Sequence, residues 1–336
     1  MKAARYHKTG GPEVIQFEDV PDPKAGIGEA VVRVRAAAIN RLDIFLRSGA
    51  SGMPGFSMPH TGGFDIAGEV AEVGDGVDAA WLGKPVVVDA RVTGPASRGR
   101  LDIIGTARPG GFAEKVLVPA HCLRPKPENY SYEEAAAFGC VYLTAFRGLA
   151  ACASVNPGEV VLVQAGSGGA GTAAIQTAKA MGATVITTAG SDEKCAKAKE
   201  LLGCDHAVNY KTQDFVKVVK DVTGGRGADV AFDPVWGSTA QKTLDSLALG
   251  ARWIVIGMVG GLDAKITLTN LLFREVTLRG VIEFYADADQ ITQAWSMAHR
   301  DVVRPIIAKT FPLADLGAAQ RTMESGDFFG KIVVIP

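Results

Sequence analysis

The chain has 336 residues, 47% of them hydrophobic, and its 35 Lys and Arg against 36 Asp and Glu leave a net charge of −1. That length suits two domains of roughly 150 residues each. The near-zero charge argues against a nucleic-acid or anionic-membrane surface, and the sequence shows no unbroken apolar run of the roughly 18 residues a membrane span needs. Met1–Lys8 lacks a signal-peptide core. The cysteines, Cys122, Cys140, Cys152, Cys195 and Cys204, are odd in number and without C-x-x-C spacing, so the expectation is a reduced, cytoplasmic protein with no disulfide framework.

Residues 1 to about 120 read as β-rich. Val31–Ala38 alternates and predicts a half-exposed strand; Gly68–Gly76, Val86–Asp89 and Gly110–Pro119 predict three more. Short strands with Gly and Pro between them suggest a partly closed antiparallel barrel. Asp43 and Arg47 stand four apart on a short helical stretch, which is ion-pair spacing. His60 and His121 come with no matching ligand set and read as structural or surface residues. Helical patterns begin at Glu133–Phe138 and continue at Leu143–Ser154.

The most informative stretch is Val160–Gly171. Val160–Val163 is a short apolar run of the kind that makes a buried parallel strand. Gly166, Ser167, Gly168, Gly169, Ala170 and Gly171 follow, and then a helical pattern over Thr172–Met181 with Ala173, Ile175, Ala178 and Met181 inward. Strand, glycine turn and helix in that order make G-x-G-x-x-G a dinucleotide signal. The first glycine permits the tight turn, the second lets backbone approach a pyrophosphate, and the third lets helix and strand pack closely. The phosphates then lie on N–H groups at the helix start.

From Val160 strands and helices alternate. Strands are expected at 160–164, 184–189, 206–208, 229–232, 252–257 and 277–284, with helices at Asp192–Leu202 and Thr239–Leu247 among those between them. This is the pattern of a doubly wound parallel sheet. The last 50 residues return to the style of the first domain, and Gly330–Pro336 predicts a strand that rejoins the barrel. The expected division is 1–141 with 285–336 as one domain and 142–284 as an inserted nucleotide domain. The cleft between them is the default active site.

Asn40–Asp43, Gly62–Val70, Gly110–Glu114, Leu143–Arg147, the glycine loop and Gly330-Lys331 together resemble the medium-chain dehydrogenase/reductase superfamily, most closely its zinc-free quinone oxidoreductase and enone reductase branch. The resemblance covers nearly the whole chain. It implies an α/β fold: a GroES-like barrel catalytic domain with an inserted Rossmann domain. It also implies that zinc-containing relatives place ligands at the positions of Asn40, Phe64 and Cys140, so that one of three catalytic ligands remains, where a catalytic zinc site needs about three. The structural-zinc lobe of those relatives would fall near residues 90–110, where this chain has no cysteine. Cys140 is then expected as a small buried filler.

For the cofactor, NAD-binding relatives hold the ribose with an acid ending the second strand. That position is Ala189 here, followed by Gly190, Ser191, Asp192, Glu193 and Lys194. Ser191 can donate a hydrogen bond or serve as a plain helix N-cap; Lys194 can supply charge or be a solvated surface lysine. The resemblance adds Tyr210 beside the adenine ribose phosphate, Thr144 and backbone at Gly257, Met258 and Val259 near the nicotinamide, and Lys331 as a further cofactor contact. The expected cofactor is NADPH, with the acidic pair Asp192 and Glu193 weighing against it. Asn40, Tyr142 and Phe64 are expected to line the substrate end, with Asn40 bonding the cofactor or polarising a carbonyl, or only structural.

The expected reaction is hydride transfer to a quinone or an α,β-unsaturated carbonyl without catalytic zinc, since a conjugated acceptor supplies its own electrophilicity. The alternatives are an alcohol dehydrogenase of the same superfamily and a non-catalytic NADPH-binding protein. No general acid stands out; Tyr142 and Tyr285 are the candidates. The substrate pocket would draw on loops such as Ser48–Pro59. The apolar sixth strand, Thr277–Phe284, is expected at a sheet edge and predicts a homodimer.

Overall fold

The computed structural model describes residues 1–50, 56–93 and 101–336, and they divide into two compact units, Met1–Cys140 with Arg304–Pro336 and Val141–Val303. Part of the expected substrate loop (51–55) and most of the stretch matched to the structural-zinc lobe (94–100) lie outside the described residues.

In the first unit β1 (Lys2–Tyr6) and β2 (Ile15–Asp19) form an antiparallel pair. Then come β3 (Glu29–Ala38), α1 (Arg41–Ser48), β4 (Asp65–Val73), β5 (Pro85–Val88), β6 (Lys115–Pro119) and β7 (Leu123–Pro125). The pairs β3–β4, β4–β5 and β5–β7 are antiparallel. Apolar residues fill both phases of β3, so the expected half-exposed strand is instead buried from Ala30 to Ala38 except at Arg33 and Arg35.

The two expected helical stretches are one helix, α2 (Tyr132–Phe146), which runs on into a π-helical turn at Arg147–Cys152. The 21-residue helix Tyr132–Cys152 is long and apolar enough to cross a membrane by length and composition, although Glu133, Glu134 and Arg147 break the apolar run in the sequence; 61% of its most apolar stretch is buried. Burial of that extent is what a core helix shows.

The second unit then alternates: β8 (Val160–Val163), α3 (Gly169–Ala180), β9 (Thr184–Ala189), α4 (Asp192–Leu202), β10 (His206–Asn209), α5 (Phe215–Val222), β11 (Ala228–Asp233), α6 (Ala240–Asp245), β12 (Leu247–Val255), α7 (Leu268–Phe273), β13 (Thr277–Gly280) and α8 (Ala288–His299). The strands form a six-stranded parallel sheet in the order β10-β9-β8-β11-β12-β13. All four residues of β8 are buried, and Leu162, Ile186, Val208, Ala231 and Trp253 share one core cluster with Phe215 and Leu244. Met181, expected inward, is half-buried because α3 ends at Ala180 and Met181 is its C-cap.

Two expectations shift here. β13 stops at Gly280, since Glu283–Tyr285 coils into a 3-10 turn, and all four of its residues are exposed at the sheet edge. Residues 285–303, expected with the barrel, belong to the second unit, where α8 buries Ile291, Ala294, Trp295, Met297 and Ala298.

The chain returns through β14 (Ile307–Pro312), α9 (Leu316–Ser325) and β15 (Lys331–Ile335). β15 pairs antiparallel with the end of β3, Val333 opposite Ala38, so the last strand does rejoin the first unit. β6 takes the other end of β3, Glu29 opposite Pro119. β14 lies parallel to β15, so the seven strands make a mixed sheet rather than a purely antiparallel one.

Candidate functional site

In the second unit the glycine loop lies at the carboxyl end of β8, at the point where the strand order turns back from β8–β9–β10 to β11. Ligands of doubly wound sheets lie at such a switch point. Gly166 sits against Thr187: a Cβ there would meet Thr187 Oγ1 at 2.0 Å. The left-handed turn itself falls on Ala165, with φ 54°, so the first glycine answers a close approach rather than a turn. A Cβ on Gly171 would meet the Ala165 carbonyl at 2.2 Å, the tight helix–strand contact expected of the third glycine. Gly168 differs from both. Its backbone is ordinary, φ −83° and ψ 167°, and a Cβ would meet nothing nearer than the Ala165 carbonyl at 3.6 Å. The protein's own packing does not require glycine there, and its absence of a side chain keeps the space above α3 clear. No side chain caps α3, so the N–H groups at its start, from Gly169, Ala170 and Gly171, are left for a ligand. These residues fit the diphosphate of a dinucleotide.

The loop is fixed from behind. Ala165 N donates to Thr188 Oγ1 at 3.1 Å, Thr188 Oγ1 donates to Gln164 Oε1 at 2.7 Å, and Gln164 Nε2 donates to Thr243 Oγ1 at 3.1 Å. Gly166 N donates to the Thr188 carbonyl at 2.8 Å.

At the end of β9, Ala189 is buried and Gly190 lies beside Tyr210: a Cβ on Gly190 would be 2.9 Å from the Tyr210 hydroxyl. Tyr210 is 54% exposed. Ser191 caps α4, its Oγ accepting from Lys194 N at 3.3 Å. Of the two acids that weighed against a phosphate, Asp192 stays at this strand end, accepting from Asn209 Nδ2 at 2.8 Å beside Tyr210, and Glu193 pairs with Lys197 at 2.7 Å. Ala189, Gly190 and Tyr210 thus lie together at the end of β9, with Ser191 and Lys194 following at the start of α4.

Beyond β12, Gly257, Met258 and Val259 run beside the segment that follows β11. Ile256 N donates to the Asp233 carbonyl and Gly260 N to that of Val235, and a Cβ on Gly257 would meet the Pro234 carbonyl at 2.7 Å. Asp233 anchors the turn, accepting from Val235 N, Trp236 N and Trp253 Nε1; burial raises its pKa. In the same unit Thr144 is buried and donates to Glu283 Oε2 at 3.2 Å. Tyr142 is buried, with Gln176 Nε2 donating to its hydroxyl at 2.7 Å.

In the first unit Asn40, Phe64 and Lys331 come together around an acid the sequence reading did not weigh, Asp65. Lys331 Nζ donates to Asn40 Oδ1 at 2.6 Å, Asp65 Oδ2 at 3.1 Å and the Ile39 carbonyl at 3.1 Å. Asn40 Nδ2 donates to Asp65 Oδ2 at 2.8 Å, and Cys140 N donates to Asp65 Oδ1 at 2.8 Å. Phe64 is buried at 3% exposure. Asn40, for which the sequence leaves bonding the cofactor, polarising a carbonyl and a structural role all open, has its amide bound up with Lys331 and Asp65, and the ammonium of Lys331, expected at the cofactor, is held among first-unit acceptors. Buried polar groups find partners wherever the chain supplies them, and here the chain supplies them all.

Asp43 does not pair with Arg47. Its carboxylate accepts from Asn40 N at 2.8 Å and Gly63 N at 3.0 Å, while Arg47 reaches Glu324 and the Gly10 carbonyl. Burial pushes the Asp43 carboxyl up to about 7 against the pull of those two N–H groups, with Asp65 adding to the rise. His60 is buried, bonded to the Gly105 carbonyl, and burial lowers its pKa to about 4; His121 is exposed on the Val92 carbonyl. Among the described residues no three His, Cys, Asp or Glu gather in a metal-ligating cluster. Cys140, expected as a buried filler, is partly exposed.

The residues missed by sequence reasoning are Asp65, Gln164 and Glu283. Asp65 lies inside the Gly62–Val70 motif and Gln164 at the end of the strand expected at 160–164. Glu283 was hidden by extending β13 through it, when the Gly280 break was the available signal.

The site belongs to a two-domain nicotinamide-dependent oxidoreductase. Residues 26–128 match the alcohol dehydrogenase GroES-like domain and residues 169–300 match the family described as zinc-binding dehydrogenase. A 2-haloacrylate reductase of Burkholderia sp is 31% identical, covering 100% of this chain and 99% of that protein. Among solved structures, an NAD-dependent alcohol dehydrogenase is 34% identical with a TM-score of 0.93, covering 100% of both chains. The Escherichia coli quinone oxidoreductase complexed with NADPH is 27% identical with a TM-score of 0.86, again over 100% of both. The chain belongs to the medium-chain dehydrogenase/reductase superfamily, in its quinone oxidoreductase branch. Its substrates are small molecules.

Proposed function

We propose that the protein is an NADPH-dependent reductase of a quinone or an α,β-unsaturated carbonyl, working without catalytic zinc. The observation that carries the reading is the pair of residues at two ligand positions of zinc-containing relatives: a buried phenyl ring, Phe64, and an amide, Asn40, tied to Lys331 and Asp65. Neither offers a metal a site, so the protein adds no Lewis acid to the acceptor and the acceptor must be electrophilic by itself. Bound, the dinucleotide supplies hydride. The chain's part is to hold the diphosphate on the N–H groups of α3, to place the far end of the cofactor by Gly257, Met258, Val259 and Thr144, and to position the acceptor. The likeness to a 2-haloacrylate reductase, whose name describes a substituted conjugated acid, supports a conjugated acceptor.

Preference for NADPH rests on Ala189, which puts no acid against a 2′-phosphate, and on Ser191, Lys194 and Tyr210 around it. The E. coli relative's NADPH complex supports it. The exposed edge strand β13, with Leu278 40% exposed, supports a homodimer through that edge. The five unbridged cysteines support a reducing, cytoplasmic setting.

The test runs the enzyme with NADPH deuterated at the transferred position and an enone. Deuterium on the carbon β to the carbonyl is expected, with zinc absent from elemental analysis of dialysed protein. A second reading, an alcohol dehydrogenase, is favoured by the 34% identical neighbour of that name. Alcohol oxidation with no enone activity, or one zinc per chain and activity lost to a chelator, would establish it instead. Titration of NADPH and NADH against Lys194→Ala tests the cofactor choice: a charged partner for the phosphate is worth about tenfold to a hundredfold, and equal affinities overturn it.

A further inference from the structure

Glu283 is a buried carboxylate that no part of the functional reading uses. It follows β13, whose last residue is Gly280, and the chain between them is held by Val281 N on the Val255 carbonyl at the end of β12. It is 9% exposed and accepts from the hydroxyl of Thr144 at 3.2 Å. Its place in the sheet says which part of a ligand it meets. The glycine loop follows β8, and the strand end with Ala189 and Tyr210 lies on the β9–β10 side. A dinucleotide lying across the switch point puts its adenosine half over β8, β9 and β10, and its other half over the carboxyl ends of β11, β12 and β13. Glu283 lies past the last of these.

We propose that Glu283 is a positioning residue for the nicotinamide end of the cofactor, and that its negative charge favours the oxidised, cationic ring over the reduced, neutral one. This rests on the dinucleotide reading above. In the reaction the reduced ring gives one hydrogen nucleus with two electrons to the acceptor carbon and becomes singly positive. The acceptor's oxygen takes up the negative charge and then a proton from solvent. With the nicotinamide end of the cofactor bound past β13, the Glu283 carboxylate would lower the cost of the positive charge that forms on the ring. Thr144, with its proton committed to Glu283, can only accept from any other group in reach, which suits an amide N–H₂ and not a carbonyl.

The experiment measures equilibrium affinities of NADP⁺ and NADPH by titration calorimetry, without turnover, for the wild type, Glu283→Gln, Glu283→Asp and Thr144→Val. Glutamine keeps the shape and can still accept from Thr144 but carries no charge. Glu283→Gln is expected to weaken NADP⁺ by roughly tenfold relative to NADPH, the scale of one charge pair in a partly buried site. Glu283→Asp and Thr144→Val, which retain the charge, keep the wild-type ratio of the two affinities to within about threefold. If Glu283→Gln does not fold, Glu283→Ser carries the same readout. An unchanged ratio in the uncharged variant, or equal loss of both forms, makes Glu283 a structural clasp on Thr144 and overturns the proposal while leaving the dinucleotide site standing. A wild-type protein that binds neither form takes down both.

Discussion

The glycine loop of the second unit and the Asn40–Asp65–Lys331 cluster of the first look alike as sequence: short motifs rich in glycine and polar residues. In structure they are opposites. In the cluster every side chain is answered from within, Lys331 by three oxygens and Asp65 by an amide, a backbone N–H and an ammonium. In the loop, Gly168 and the uncapped start of α3 are residue choices that the protein's own packing does not explain. A place built for a ligand shows itself as a demand the fold leaves unmet; a place built for stability shows none.

That contrast can be broken by mutation. The largest effect belongs to the cluster. Lys331→Met leaves the Asp65 carboxylate buried without its ammonium and Asn40 Oδ1 without its donor, and stripping one member of a buried ion pair costs about 3–5 kcal/mol. Urea unfolding checks it; a loss below about 1 kcal/mol, the scale of an exposed pair, would show that the cluster is wet and open.

Next comes Gly171→Ala. Its Cβ would lie 2.2 Å from the Ala165 carbonyl, so loop and helix must separate. The expected loss is about 1–3 kcal/mol by the measure of overpacked cores, accompanied by weaker NADPH binding, read by thermal unfolding with and without cofactor.

The third is a pH dependence. The folded pKa of Asp43, about 7, stands above its ordinary 3.8, so between those values the folded state holds the extra proton. This group's contribution to stability is full below about pH 4 and is lost as pH rises through about 7, with a slope of at most about 1.4 kcal/mol per pH unit. Asp43→Asn is expected to remove that slope. Identical pH profiles for variant and wild type would place the titration elsewhere.

The smallest effect on the fold is expected from Gly168→Ala, within about 0.5 kcal/mol of wild type, as for ordinary exposed positions. The same variant is expected to bind NADPH about tenfold more weakly, a difference of about 1.4 kcal/mol. A destabilised variant with normal binding would reverse the meaning given to that glycine.

Much of this was legible beforehand, for physical reasons. β8 announced itself because a strand buried on both faces has no polar phase, and the order strand, glycines, helix placed the loop. The end of β9 at Ala189 and the Ser191 cap of α4 could be read because strand ends and caps are local. The polar cluster could not: Asn40, Asp65 and Lys331 are brought together by the pairing of β15 with β3 across most of the chain, and nothing in their spacing says that they satisfy one another. Asp43 and Arg47 misled for the converse reason. Their spacing allowed a pair, but partners farther off in sequence, Gly63 and Glu324, outcompeted it. The expected return to the first unit at 285 is too early because the apolar residues of α8 do not say which unit they pack in, and they pack in the second.

The hydrogen-bonded backing of the glycine loop has a kinetic consequence. Ala165 is fixed in a left-handed turn, Gly166 is held by Thr188, and Thr188, Gln164 and Thr243 form one connected chain behind them. The ordering entropy of the loop is therefore lost during folding and not when a dinucleotide arrives. If the proposed dinucleotide binds here, it meets a seat already formed, and substitutions at Lys194 or Tyr210 are expected to register in how long the cofactor stays more than in how fast it enters.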